Sequence, residues 1–246
     1  MAGRRARRAP PKRARSQHFL RTSTLAAELV RDACVGPNDL VLDIGAGGGR
    51  LTAELARRAG RVVALELDPG WAARLRGRWP NVLVVEADAA RAALPAEPFS
   101  VVANLPFDTT TAILRHLLDD PGTPLVRAHV VVEWAVAVKR ALPWPSTLNG
   151  VCWNAWHSFS VARRLPPAAF EPPPAVAAGV LVIERRPVPL VPEDDWRRYR
   201  DFVATGFRRG PRAVASPRLL RRLRLTGAAA RDLDAHRWAE LFMQSK

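Results

Sequence analysis

Several residue types are scarce in this 246-residue chain, and each scarcity narrows the classes of protein to which it can belong. Only two cysteines occur, Cys34 and Cys152, and they lie far apart in apolar surroundings, so neither a disulfide framework nor a zinc motif is expected. No apolar run approaches the roughly 20 residues of a membrane span, and no apolar segment follows the N-terminal charges as in a secretory signal. We therefore expect a monomer of the reducing cytoplasm that binds neither a membrane nor a metal.

Acidic residues are missing from two stretches of the chain. Residues 1–15 and 205–231 contain no Asp or Glu but hold seven and eight basic residues, which together equal the net charge of +15. Segregated positive charge of this kind is typical of a protein that binds a polyanion, because Lys and Arg release the counterions of phosphates. A solvated surface and a codon bias toward arginine are the alternatives. The residues predicted to contact nucleic acid are Arg4, Arg5, Arg7, Arg8, Lys12, Arg13, Arg15, Arg208, Arg209, Arg212, Arg221 and Arg222.

Apolar segments with the periods of strands and helices alternate along the first three quarters of the chain. The pattern predicts strands over 40–44, 62–66, 82–85, 99–103, 128–134, 152–161 and 178–184, and helices over 23–35, 50–59, 71–79 and 110–118. Strands that alternate with helices favour an α/β fold with a mostly parallel, doubly wound sheet.

The composition changes after Arg186. Prolines are spaced through 187–192, no strand pattern follows, and segments near 194–208, 216–224 and 235–243 have helical spacing. We therefore predict three parts: a disordered basic arm over 1–15, an α/β domain over 16–187, and a small all-helical domain over 188–246 that binds nucleic acid.

A glycine-rich segment, Asp43 to Gly49, joins the first strand of the α/β pattern to the helix that follows it. Glycines there let a ligand approach the backbone, and the helix N-terminus offers free N–H groups. The segment is not the dinucleotide pattern G-x-G-x-x-G, since the sixth position from Gly45 is Arg50. Asp43 would repel a pyrophosphate but would tolerate a ligand that carries an amino group and a sulfonium centre.

Polar residues end the next strands in turn. Glu66 ends the second strand, Asp88 follows the third, and Asn104 ends the fourth. Because the carboxyl ends of parallel strands line one crevice, these side chains should face one ligand. Glu66 is spaced to bind both hydroxyls of a ribose, and Asp88 is placed to accept a hydrogen bond from an adenine amino group. The pattern predicts a site for S-adenosylmethionine.

Asn104-Leu105-Pro106-Phe107 adds a second kind of chemistry at the same edge. An amide oxygen and a backbone carbonyl can hold an exocyclic amine, and an aromatic ring can stack on the base that carries it. A strand-ending turn is the alternative, since Asn and Pro are common in turns.

These motifs resemble those of the ribosomal RNA adenine N6-methyltransferases, which include the Erm macrolide-resistance enzymes and the housekeeping small-subunit dimethyladenosine transferases. The resemblance extends from Ser16-Gln17-His18-Phe19-Leu20 to about residue 186, and it includes Phe170 with the prolines that follow it. It implies a Rossmann-like class I S-adenosylmethionine-dependent methyltransferase domain over 16–187. The implied cofactor-binding residues are His18, Leu20, Gly45, Gly47, Glu66, Asp88 and Asn104.

The resemblance also implies the roles of the remaining site residues. Asn104 and the Pro106 carbonyl would hold the target amine, and Phe107 and Phe170 would pack the flipped base. Many members of the family have Asn at position 18 and Tyr at position 107, so this chain departs from the common pattern at both positions.

Within the family, the compact chain and the Arg-rich arm favour the resistance branch, with 23S rRNA as substrate and resistance to macrolides, lincosamides and streptogramin B as the outcome. A housekeeping 16S rRNA dimethyladenosine transferase is one alternative, and a non-catalytic nucleic-acid-binding relative is another. The segment 130–159 resembles the actinobacterial resistance enzymes. We interpret its tryptophans as core residues; they are Trp134, Trp144, Trp153 and Trp156.

Overall fold

The computed structural model describes residues 18–144 and 146–245, and a seven-stranded sheet lies at its centre. The strands are β1 (Phe19–Leu20), β2 (Leu40–Ile44), β3 (Arg61–Glu66), β4 (Val82–Glu86), β5 (Phe99–Asn104), β6 (Leu125–Glu133), β7 (His157–Leu165), β8 (Phe170–Glu171) and β9 (Ala178–Arg185). The helices are α1 (Ser23–Asp32), α2 (Arg50–Ala56), α3 (Pro69–Leu75), α4 (Thr110–Leu118), α5 (Trp134–Ala141), α6 (Leu148–Asn154), α7 (Trp196–Arg209), α8 (Pro217–Arg222) and α9 (Ala235–Met243). The predicted basic arm over 1–15 lies outside the described residues.

The strand order in the large sheet is β4-β3-β2-β5-β6-β9-β7. The first five of these strands are parallel, and β9 runs antiparallel to both of its neighbours. From β2 the chain moves outward to β3 and β4 and then returns to β5 on the other side of β2. In doubly wound sheets, ligands bind at the carboxyl ends of the strands where the order reverses. The predicted α/β fold is confirmed, and the reversal lies between β2 and β5.

The sheet is covered by helices on both faces. Leu42 and Val101 point to the side where Leu114 of α4 packs. Val41 and Val102, their neighbours in sequence, belong to the cluster on the opposite side, with α1 and α2. Successive residues of a strand face opposite sides, so strands buried on both faces read as continuous apolar runs.

The C-terminal helices share a second core with α6. Cys152 and Trp156 pack there with Tyr199, Trp238 and other apolar residues of α7, α8 and α9. The approach of α7 to α9 is so close that a Cβ added at Gly206 would lie 2.2 Å from Trp238 Cη2. Because α6 precedes residue 187 in the chain, the C-terminal helical core includes a part of the predicted α/β domain. The boundary at 187 stays a prediction.

The segment predicted as a strand over 152–161 begins with the last three residues of a helix. Helix α6 begins after Thr147, whose Oγ1 accepts a hydrogen bond from Gly150 N at 3.1 Å, and it ends at Asn154. The strand β7 begins only at His157. The hydrogen bond from Gly150 N to the Thr147 side chain satisfies a backbone donor at the start of α6 and so favours a helix here, which the strand prediction did not take into account. Helix α5 was also not predicted, and Trp134 begins it rather than ending a strand.

Candidate active site

A cavity of about 510 Å³ opens at the carboxyl ends of β2, β3, β4 and β5. It brings together residues from turns that are distant in sequence. The predicted site residues that line it are His18, Gly45, Gly47, Glu66, Asp88, Asn104, Pro106 and Phe107. Leu20 lines an adjoining cavity of about 390 Å³, which shares Phe19, Gly45 and Asn104 with the first. The predicted cofactor-binding residues therefore line two adjoining cavities.

The glycine segment after β2 requires glycine at two positions that face the site. Gly45 has φ 75° and Gly47 has φ 50°, a region that L side chains rarely adopt. A Cβ at Gly47 would lie 2.5 Å from Phe19 Cε1. The amide of Gly45 donates to the Leu65 carbonyl at 2.8 Å, which ties the segment to β3. The cavity wall here is therefore backbone, held in place by the neighbouring strand.

Glu66 is buried at the end of β3, with 4% of its surface exposed. Its Oε2 accepts a hydrogen bond from Gly47 N at 2.7 Å, and its Oε1 accepts one from Asp68 N at 2.8 Å. Both carboxylate oxygens are therefore fixed by backbone amides. An ionised carboxylate can accept about four hydrogen bonds, so each oxygen keeps capacity for a ligand hydroxyl.

Asp43 lies beneath the glycine segment and is 1% exposed. Its Oδ2 accepts a hydrogen bond from the Thr52 hydroxyl at 2.6 Å. Burial raises the pKa of this carboxyl from its ordinary 3.8 to about 7, the Thr52 hydrogen bond opposes that rise, and the charge of Glu66 adds to it. Asp43 lines the smaller cavity. Sequence reasoning missed Thr52, because a hydroxyl within a helix has no pattern that reveals its partner.

Asn104 ends β5 with its amide oriented by a distant part of the chain. Its Nδ2 donates to the His18 carbonyl at 2.7 Å, while its Oδ1 is buried and has no hydrogen-bond partner among the described residues. Buried acceptors are almost always paired in proteins. An amide with its nitrogen used by the protein and its oxygen left free is set to accept a hydrogen bond from a ligand N–H group.

The Pro106 carbonyl is already engaged within the turn that leads into α4. It accepts hydrogen bonds from the Thr110 hydroxyl at 2.9 Å and from Thr109 N at 3.2 Å. The carbonyl of Leu105, one residue earlier, accepts none from residues 18–144 or 146–245. Two backbone carbonyls, those of Leu105 and Pro106, therefore follow Asn104. The Pro106 carbonyl, which was predicted to hold the target amine, has less capacity left to accept another hydrogen bond.

Three rings pack in sequence behind this corner of the cavity. Because a carbonyl oxygen can only accept, His18 Nδ1 donates to the Pro172 carbonyl at 2.8 Å. The His18 ring lies 5.6 Å from that of Phe107. Phe107 meets Phe170 edge to face at 6.4 Å. Phe170 is fully buried. It therefore supports Phe107 in this structure instead of presenting a face to a ligand, and only Phe107 of the two predicted stacking rings lines the cavity.

Two aromatic residues at the cavities were not predicted from sequence. Phe19 borders both cavities and packs against Trp71 with ring centroids 5.5 Å apart. Trp71 lies on α3, where its spacing is that of an ordinary amphipathic helix. No local signal separates it from a core residue.

The predicted RNA-binding arginines of the C-terminal region are all on the surface. Within the described residues, none of the five forms an ion pair with an acid; they are Arg208, Arg209, Arg212, Arg221 and Arg222. Their positive charge is therefore uncompensated locally. Arg4, Arg5, Arg7, Arg8, Lys12, Arg13 and Arg15 lie outside the described residues, and their role stays a prediction.

The described residues form neither a membrane-spanning helix nor a metal-ligand cluster. No helix in the described part of the chain has the length and apolar character needed to cross a bilayer. Among the same residues, no three His, Cys, Asp or Glu side chains cluster as metal ligands would.

A doubly wound sheet with a backbone-walled cavity at its reversal point is the architecture of α/β proteins that bind a ligand at the carboxyl ends of their strands. Within that class, the chain belongs to the ribosomal RNA adenine dimethylase family, whose model matches residues 11–224. The membership predicted from the motifs is confirmed.

Two relatives and one solved structure illustrate the range of the similarity. The chain is 37% identical over 232 residues to the mycinamicin-resistance protein MyrB of Micromonospora griseorubida, which covers 89% of this chain and 73% of the relative. It is 36% identical over 207 residues to ribosomal RNA small subunit methyltransferase A of Rubrobacter xylanophilus, covering 80% of this chain and 77% of that protein. The crystal structure of the 23S rRNA methyltransferase ErmE matches with a TM-score of 0.78 at 28% identity, over 92% of this chain and 98% of that one.

Proposed function

We propose that this protein transfers a methyl group from S-adenosylmethionine to the N6 amine of an adenine in 23S rRNA. The observation that carries the proposal is the buried, unpaired Oδ1 of Asn104 at the junction of the two cavities. A protein that only binds nucleic acid has no need of a free buried acceptor beside a cofactor-sized cavity.

The residues of the two cavities fit the parts of the cofactor. Glu66, fixed by two backbone amides, would accept the ribose hydroxyls, and Asp88, which is exposed after β4, would accept from the adenine amino group. Asp43, in the smaller cavity, would face the positively charged amino group of the methionine part. The bound cofactor supplies a methyl group on a sulfonium, which is activated for displacement before the protein acts on it.

Asn104 orients the amine that receives the methyl group. The lone pair of an adenine amine is delocalised into the ring, so it is a poor nucleophile. One N–H would donate to Asn104 Oδ1, and the other would donate to a backbone carbonyl of Leu105 or Pro106. Those two hydrogen bonds direct the lone pair toward the methyl group, and positioning then supplies most of the rate enhancement. The methylated amine releases its proton to water.

Phe107 would stack on the target base, which must leave its helix to enter the cavity. The ring is held from behind by Phe170 and flanked by His18. The helical region over 188–246 and the arm over 1–15 would hold flanking phosphates through their arginines.

A small-subunit rRNA adenine methyltransferase is the second candidate, because similarity to that kind of relative is nearly as high as to the resistance protein. We favour 23S rRNA and resistance to macrolides, lincosamides and streptogramin B. The 28% identity to ErmE over 92% of this chain supports that preference.

The test is to incubate the purified protein with labelled S-adenosylmethionine and either 23S or 16S rRNA, and to weigh the nuclease fragments by mass spectrometry. We expect N6-methylated adenine in a 23S rRNA fragment. Label in 16S rRNA alone would select the second candidate. Label in neither RNA would overturn the proposal of an RNA methyltransferase.

A further inference from the structure

A third cavity, of about 600 Å³, lies between α5 and the C-terminal helices. Trp134, Trp144 and Phe207 contribute aromatic surface to it, and Lys139 and Arg231 contribute positive charge. None of the described residues that line it is acidic. It shares no lining residue with the two cavities assigned above to the cofactor and the target base.

Trp144 is the unusual residue of this cavity, because 55% of its surface is exposed. Its indole Nε1 donates to the Asp232 carbonyl at 3.1 Å, which fixes the side chain without burying it. Trp153 and Trp156 are 1% and 5% exposed. The interpretation of the four tryptophans as core residues is right for these two and wrong for Trp144. An anchored, exposed tryptophan is typical of a surface that binds another molecule.

The third cavity opens near the edge of the sheet that holds Asn104. Asn104 pairs with Val131 of β6, and Trp134 follows Val131 by three residues along the same chain direction. The offset along an extended chain is therefore on the order of 10 Å. That distance, to the Trp134 wall of the cavity, corresponds to roughly three stacked nucleotides at 3.4 Å each, and α5, which separates Trp134 from Trp144, is about 12 Å long. A nucleotide close in sequence to the target adenine can reach this cavity.

The charges around the cavity favour an anionic occupant. Neither Lys139 nor Arg231 forms an ion pair within the described residues. Arg164 lies over the Trp134 ring at 5.2 Å, and the exposed Arg208 directly follows Phe207. The nearby Asp232 carboxylate accepts a hydrogen bond from Ala229 N at 2.9 Å and so caps its own turn. Aromatic surface beside uncompensated cations is the combination that binds single-stranded nucleic acid.

We propose that this cavity binds one unpaired nucleotide of the RNA substrate, distinct from the adenine that is methylated. Its base would stack on Trp144, and its phosphate would lie against Lys139 and Arg231. This inference rests on the proposed function, since it assumes that RNA is the substrate.

The test measures the affinity of the full chain for a fluorescent 23S rRNA hairpin by anisotropy, which does not require turnover. Each nucleotide near the target adenine is made abasic in turn. For the wild-type protein, one such position should weaken binding about tenfold, the effect of losing one base–aromatic stack. Trp144→Ala should weaken binding of the intact hairpin by the same factor and should be insensitive to that abasic position. Trp144→Phe, which keeps a stacking ring, should retain sensitivity to it.

Trp196→Ala is the matched control, because Trp196 is a half-buried tryptophan at the opposite end of α7 from Phe207. Its loss should leave the abasic effect unchanged. The inference is overturned if no abasic position behaves differently in Trp144→Ala and wild type. An unchanged RNA affinity in Trp144→Ala would also overturn it and would point to a protein partner. Absence of methylation by the wild-type protein would count against the proposed function alone, since binding is read separately.

Discussion

Two regions of the molecule are suited to recognition in opposite ways. One is the pair of cavities proposed to hold the cofactor, and the other is the surface of the C-terminal helices that carries the predicted RNA-binding arginines. In the cavities Asp43 and Glu66 are buried, and backbone amides hold Glu66 in one orientation. On the C-terminal surface, the five arginines Arg208, Arg209, Arg212, Arg221 and Arg222 are exposed and form no ion pair within the described residues. Burial strengthens each electrostatic contact and makes it depend on geometry, whereas exposed charges act over a longer range and are screened by salt. The first region should therefore respond sharply to single substitutions, and the second should respond in small, additive steps.

The sharpest test of this comparison is Asn104→Ala. Removing the free Oδ1 should lower kcat on the order of 10³-fold, since it deletes a preorganised contact to the reacting group. The affinity for RNA should change little, because that affinity depends on the exposed arginines. Single-turnover methylation and RNA binding are measured on the same preparation.

Asn154→Ala is the control for that substitution. Among the described residues, the Asn154 side-chain amide donates to the Gly150 carbonyl within α6, at 2.9 Å. Its loss should leave kcat unchanged. If Asn104→Ala lost RNA affinity in proportion to turnover, the separation of the two regions would be wrong.

The next largest effect concerns Asp43. Because burial raises the pKa of its carboxyl to about 7, the folded protein binds a proton between about pH 4 and pH 7 that the unfolded chain has released. The free energy of unfolding therefore falls as pH rises through that window, and the charged form above pH 7 costs roughly 2–4 kcal/mol. Asp43→Asn keeps an acceptor for Thr52 and removes this dependence.

Thermal unfolding of the two proteins between pH 5 and pH 8 checks the sign. The Tm of the wild type should fall relative to that of Asp43→Asn as pH rises. Asp201→Asn, which removes an exposed carboxylate on α7, should run parallel to the wild type. A wild-type Tm that rises relative to Asp43→Asn would mean that Asp43 is ionised and stabilised in the folded protein.

The affinity for S-adenosylmethionine should increase with pH in the wild type and less so in Asp43→Asn, since the amino group of the cofactor favours the ionised carboxylate.

The comparison also explains which features could be predicted from sequence. The strand β2 and the helix α4 have the predicted bounds because each is a local pattern, a continuous apolar run or a helical period. Polar residues that end such runs stand out, so Glu66 and Asn104 were identified as candidates without a structure. The fold and the family follow from these local signals.

The features that could not be predicted depend on contacts between distant parts of the chain. The Asn104 amide is oriented by the His18 carbonyl, 86 residues away in sequence. Phe170 is buried behind Phe107, although both have the same aromatic character in sequence. Trp144 and Trp153 differ only in what packs against them. Composition and spacing contain no information about such burial, and the roles of these residues follow from the packing.

The smallest effects are expected at the C-terminal arginines, and they test the additive side of the comparison. Replacing Arg208 and Arg209 together by Gln should weaken RNA binding several-fold. Each lost phosphate contact should also reduce, by about 1, the magnitude of the salt slope, which is the slope of log affinity against log salt concentration. The control is the pair Arg57→Gln and Arg58→Gln, which removes the same charge from the C-terminal end of α2, where Arg57 pairs with Glu54. Binding is titrated by anisotropy across a range of KCl concentrations, with turnover at saturating RNA as the second readout. An equal loss of salt slope in both pairs would mean that RNA responds to net charge alone. A fall in kcat for Arg208 and Arg209 at saturating RNA would mean that these arginines also position the target base.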